Sequence, residues 1–145
     1  LPKRIGSSQQ EKEDKMPFMR MHHAEDPKET ILNELGDISG IRLFNNQVMV
    51  ATYVRPDVTS GGIMLPGATR DEDKYQGKVG LVIKKGSQAF VDSKSAWFDG
   101  VEVNVGDWIY FRPAEGWSLV VHGVPCRILD DVDVRGDLPA PDVIW

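Results

Sequence analysis

The 145-residue chain has a single cysteine, Cys126. That excludes an internal disulfide and any cysteine-built zinc cluster. A cationic excess is also missing: 17 Lys+Arg against 22 Asp+Glu leave a net charge of −5. This is the wrong sign for coating nucleic acid, so no nucleic-acid partner is expected. No apolar run approaches the roughly 20 residues that cross a bilayer, and no membrane partner is expected. The opening Leu-Pro-Lys-Arg-Ile-Gly lacks an apolar h-region, which argues against a secretory signal. Together these absences predict a reducing, cytoplasmic setting. No Gly-Lys-Ser/Thr stands at phosphate-loop spacing. The three histidines are equally unpromising. His22-His23 beside Glu25-Asp26 reads as a solvated run, because a metal site needs several convergent ligands. His122 falls at a turn and reads as surface. Cys126 lies in an apolar strand, where it acts as a small hydrophobe. A Cys126–His122 pair has no third group to orient it. The four tryptophans lack interleaved basic residues for stacking bases. No catalytic residue, metal or cofactor is expected, and an enzyme is not the reading.

What is present is unevenly spread. Charged residues fill 14 of the first 40 positions and 25 of the other 105. All 16 valines lie from Val48 onward, and all four Trp from Trp97 onward. Valine packs well on a pleated sheet and is restricted in a helix. The chain therefore divides into a polar arm over 1–40, a β body over 41–136 and a tail over 137–145. The arm carries one helix signal near 27–35. Asp26 is placed to cap it, Pro27 suits its first position, Glu29 completes a capping box and Gly36 stops it. Ile31, Leu32 and Leu35 form its apolar face. Two turns cannot stand alone, so the helix needs a surface to lie on.

In the body, Gln47–Val54 alternates, as do Lys78–Ile83 and Val101–Val105. Trp108–Phe111, Trp117–Val121, Cys126–Leu129 and Val132–Val134 read as further short strands. Many short strands, glycine turns and no crossover helices predict an all-β fold, a small antiparallel barrel. The tail, with Pro139 and Pro141, reads as a docking segment rather than a strand. Two connections are too long for tight hairpins: 55–76, and 86–100, read as a small hairpin of its own. Loops beyond about 12–15 residues are usually functional or disordered. At the centre of the first stand Gly61-Gly62-Ile63-Met64-Leu65, with Arg70–Lys74 downstream reading as solvated. The apolar tripeptide either orders on a partner's groove or packs as a short strand on its own barrel, and local sequence leaves both open.

Gly61-Gly62-Ile63-Met64-Leu65 resembles the mobile loop of the GroES co-chaperonin family. Further segments match in order. Gln76–Val82 is similar to the strand after that loop. Val103–Phe111 is similar to the family's Val-Gly-Asp-x-Val-x-Phe segment, and Gly123–Leu129 with Asp130–Val134 to its close. The resemblance covers about 41–136 and implies a GroES-like barrel with a long mobile loop. It also implies a chaperonin ring as partner, bound through Gly61, Gly62, Ile63, Met64 and Leu65. Members form seven-subunit rings, so a homo-oligomer, a heptamer, is implied. Its interfaces would involve Ile41, Leu43, Val132 and Val134, with Trp145 from the tail. The arm and tail are additional to the family pattern, and Arg42-Leu43-Phe44 lacks the family's early proline. The Glu115-Gly116-Trp117 turn and the Pro141–Trp145 ending resemble phage-encoded relatives, which implies host cytoplasm. A second reading follows: a virion structural protein, a capsid cement or decoration built on the same barrel with capsid protein as partner, whose arm and tail wrap neighbouring subunits.

Overall fold

The computed structural model describes residues 20–56, 62–92 and 97–144. Its centre is β1, Gln47–Thr52. This strand alternates two apolar sets rather than apolar with polar. Met49 and Ala51, continued by Tyr53, enter one core cluster, while Val48 and Val50 enter the other. A strand covered on both faces belongs in the middle of a sheet. It is flanked by β2 (Val79–Lys85) on one side and β5 (Val124–Asp130) on the other, both antiparallel. The β1–β2 register slips between Met49 and Val50, the mark of a bulge. β3 (Trp108–Tyr110) pairs with β2, and β4 (Trp117–Val121) with β5. β6 (Gly136–Leu138) closes the order β4-β5-β1-β2-β3-β6. This six-stranded antiparallel sheet meets the all-β expectation.

The arm helix forms where its caps place it, as α1, Pro27–Leu35. The Asp26 side chain accepts from the Lys28 N–H at 3.1 Å, and Gly36 ends the helix at φ +63°. Leu35 is buried in the first core cluster and Ile31 packs against it, while Leu32 faces solvent. The surface that α1 needed is therefore its own body.

Several expected elements differ. The 55–76 connection contains a second helix, α2, Gly67–Gln76. Its sequence, Gly-Ala-Thr-Arg-Asp-Glu-Asp-Lys-Tyr-Gln, has no apolar stripe for a periodicity to reveal. Val101–Val105 alternates but forms no strand: Val103 is buried, whereas Val101 and Val105 are exposed. The free edge of β2 is already taken there, because Val82 exchanges bonds with Gly106 and Asp107 at 2.8 and 2.9 Å. The 86–100 connection is not a hairpin in its described residues. It runs in tight turns closed by Ala89 N–H to Gly86 and Val91 N–H to Gln88. Val132–Val134 is not a strand either. Asp131–Asp133 make a 3-10 turn, held by reciprocal bonds between the side chains of Asp130 and Asp133 and each other's backbone N–H. The tail begins with strand β6, because β3 had an open edge to fill.

Candidate functional site

The Gly-Gly-Ile-Met-Leu segment belongs to the connection between β1 and α2. Gly61 lies outside the described residues. Gly62 sits at φ +88° with no atom within 4 Å of where a Cβ would be. Glycine is thus required there by backbone conformation and not by crowding. Ile63 is 61% exposed and Met64 65%, and Leu65 is half-buried. Neither Ile63 nor Met64 joins a core cluster. Of the two readings of this tripeptide, packing on its own barrel is not how these two side chains sit.

The loop's two roots are tied together. Arg55 follows β1, and Asp73 lies on α2. The Asp73 carboxylate accepts from the Arg55 backbone N–H at 3.0 Å, from Nε at 2.9 Å and from Nη2 at 2.9 Å. Asp73 is only 3% exposed, so Arg70–Lys74 is not uniformly solvated, contrary to expectation. Arg70 Nε donates to the Arg55 carbonyl at 3.0 Å, adding a second tie. At the far end of α2, Gly77 allows the helix to turn tightly into β2. A Cβ there would meet Asp73 O at 2.6 Å and Thr52 Cγ2 at 2.8 Å.

Buried Arg127, on β5, fastens the C-terminal end of α2. Its Nη2 donates to the Tyr75 carbonyl at 2.9 Å, and its Nη1 to the carbonyls of Glu115, at 3.0 Å, and Pro113. Its guanidinium lies 5.2 Å from the Phe111 ring centroid, and burial lowers its pKa. A cation on the last turn's carbonyls also suits the helix dipole. Local sequence reading missed Arg55, Asp73 and Arg127, whose partnerships link residues 18 and 52 positions apart. No periodicity signals such a pair.

The arm meets the site from the other side. His23 Nε2 lies 2.6 Å from the Tyr53 hydroxyl, and Tyr53 packs edge-on to Trp108 at 5.8 Å. His23 is therefore not simply solvated as expected. Burial lowers its pKa, opposed by the nearby Asp142 carboxylate. His122 is exposed as expected, with Nδ1 2.5 Å from the Leu35 carbonyl. Among the described residues, no group of three or more potential ligands is placed to hold a metal. Cys126 is buried, and burial raises its thiol pKa to about 11. Between α1 and the loop root lies a cavity of about 420 Å³, lined by residues that include His23, Ile31, Tyr53, Pro56 and Arg70.

The expected interface residues are scattered. Ile41 and Leu43 are half-buried against the first core cluster, and Val134 against the second. Val132 is 49% exposed and lines a groove of about 480 Å³ with Trp97, Phe98 and Val101. Trp145 lies outside the described residues. No helix among the described residues is long and apolar enough to cross a membrane.

Residues 40–137 match the family model described as the chaperonin 10 kDa subunit. The chain is 30% identical over 101 residues to a co-chaperonin GroES of Oleispira antarctica, covering 69% of this chain and 98% of that one. A Clostridioides difficile co-chaperonin GroES is 28% identical over 94 residues, with 65% and 93% covered. One from Clostridium botulinum is 29% identical over 94 residues, with 65% and 92% covered.

Proposed function

The chain belongs to the chaperonin 10 kDa subunit family, and from that premise we propose that it is a co-chaperonin that docks on a chaperonin ring through Ile63, Met64 and Leu65. The observation that carries the reading is the exposure of Ile63 and Met64, at 61% and 65%, in a loop whose roots are bonded together. Two large apolar side chains kept in water on a fixed base are poised to be buried elsewhere. Burying the three side chains yields about 1.5–3 kcal/mol each, offset by ordering the loop and by association. One loop therefore binds weakly. Several loops held at fixed spacing in a ring of identical subunits gain avidity with no new contact. Weak single contacts suit a lid that must leave in each cycle.

The family's seven-fold ring is the proposed assembly, with Ile41, Leu43, Val132 and Val134 at or near its subunit contacts. Exposed Val132 beside Trp97 and Val101 supports an interface on that face. The virion reading and a phage source gain no support from the relatives above, each of which carries a co-chaperonin name. Co-sedimentation with a chaperonin ring and nucleotide tests the proposal. The wild type is expected to co-sediment and Ile63→Asp to stay in the supernatant. Equal binding by both would refute the role of the loop.

A further inference from the structure

The stretch shared with the family spans residues 40–137. Two segments outside it, one on each side, nevertheless touch each other. The Met21 N–H donates to Asp142 Oδ2 at 2.7 Å, and Arg20 Nε stands 3.2 Å from the same oxygen. Asp142 is 3% exposed and Met21 6%. A carboxylate buried to this degree is retained only where donors meet it. Two residues on, His23 reaches the Tyr53 hydroxyl, and further along Leu35 enters the core. The arm is therefore fastened at three successive points, and the middle one is the residue from which the loop departs.

Tyr53 is held on several sides. Its N–H continues the sheet ladder to the Val79 carbonyl at 2.8 Å, its ring meets Trp108, and its hydroxyl meets His23. Two residues later Arg55 is bonded to Asp73. The loop root is thus gripped from the α2 side by Asp73 and from the arm side by His23, and His23 and Tyr53 both line the 420 Å³ cavity.

We propose that residues 20–35 and the tail at Asp142 form one clamp that fixes the loop root at Tyr53–Arg55 and thereby strengthens docking to the chaperonin. Asp142 and His23 act here as positioning residues: neither lies in the apolar tripeptide, and both act through Tyr53. The inference rests on the loop-docking reading above. Its physical basis is entropic. With the clamp open, the root residues gain conformations that must be surrendered again on binding. Freeing one root residue weakens a single-loop affinity by about fivefold to thirtyfold, and a ring of loops multiplies the effect.

The test compares wild type, Asp142→Ala, Asp142→Asn and His23→Ala. Asp142→Asn keeps an acceptor for the Met21 N–H and loses the Arg20 charge pair. Amide exchange at Tyr53, Val54 and Arg55 is measured alongside affinity for a chaperonin ring with bound nucleotide. Asp142→Ala and His23→Ala are expected to speed exchange at the root at least tenfold and to weaken docking, with Asp142→Asn intermediate. Exchange in β5 stays unchanged. If the arm amides open while root exchange and affinity stay at wild-type values, the clamp proposal is wrong. If wild type does not dock at all, the loop-docking reading falls. Exchange at the root then still decides whether the clamp exists.

Discussion

Asp73→Ala removes the acceptor of three bonds from Arg55 in one step. Both side chains are largely buried, at 17% and 4% exposed, so solvent screens the pair little. Breaking a buried pair by deleting one partner costs about 3–5 kcal/mol. The body has its own two core clusters and need not pay that cost. Asp73 is the one buried residue that α2 contributes, and a ten-residue helix is marginal by itself. The predicted result is local: α2 lifts away while the sheet persists. At about 1.4 kcal/mol per factor of ten, amide protection over 67–77 falls about a hundredfold to a few thousandfold. The remaining ties, Arg70 to Arg55 and Arg127 to Tyr75, keep the loss from being total. Hydrogen exchange read by mass spectrometry resolves the two regions. Asp73→Asn, which keeps a carbonyl acceptor without the charge, is expected to lose less. Protection of α2 within threefold of wild type in Asp73→Ala would refute the view that this carboxylate fastens the loop.

Other consequences are simpler to check. Leu35→Ala is expected to cost about 2–5 kcal/mol in urea unfolding, because its side chain fills the core beneath α1. Leu32→Ala on the same helix should stay within about 0.5 kcal/mol, since Leu32 is 44% exposed. Docking of the arm is expected to weaken in acid. His23 has a lowered pKa when docked, from burial, with Arg20 and His22 acting in the same direction and Asp142 and Asp26 opposing. Above pH 6.5 both states are neutral and nothing changes; as pH falls through 6.5 toward the docked value, the undocked arm takes the proton first. Protection factors of the arm amides, which remove the intrinsic pH dependence of exchange, should therefore fall between pH 7 and pH 5, and a flat profile would remove His23 from that role. The Cys126 thiol, raised to about 11, should react with an aromatic disulfide at pH 8 only as the native protein opens, so urea should accelerate labelling.

Sequence alone revealed the parts whose physics is local. Asp26, Pro27 and Gly36 bracket α1 because capping acts within a few residues. Trp117–Val121 reads as the strand it is, because His122-Gly123 turns it straight back onto β5. Ile63-Met64-Leu65 stood out as an apolar tripeptide between Gly-Gly and Pro-Gly, while local sequence left open whether it packs on its own barrel. What stayed hidden depends on partners far along the chain. α2 is held by ties to Arg55 and Arg127, far from it along the chain, and composition cannot report that. The valines at 101, 103 and 105 have strand spacing, yet the edge they would pair with is filled by residues that follow them. The start of the tail becomes β6 because β3 offers an edge, a fact about the sheet and not about Gly136-Asp137-Leu138.

Arg20 and Asp142 share a salt bridge, so the two ends of the described residues meet at one point. A circular permutant follows from that adjacency. A short linker joining the two segments, with new termini opened at the exposed Ser39-Gly40 turn, places α1 after the tail and changes no contact of the sheet. In an assembly of identical copies, a peptide inserted into that linker would emerge from the same site on every subunit. In a ring of such copies, the inserts would stand in a single row.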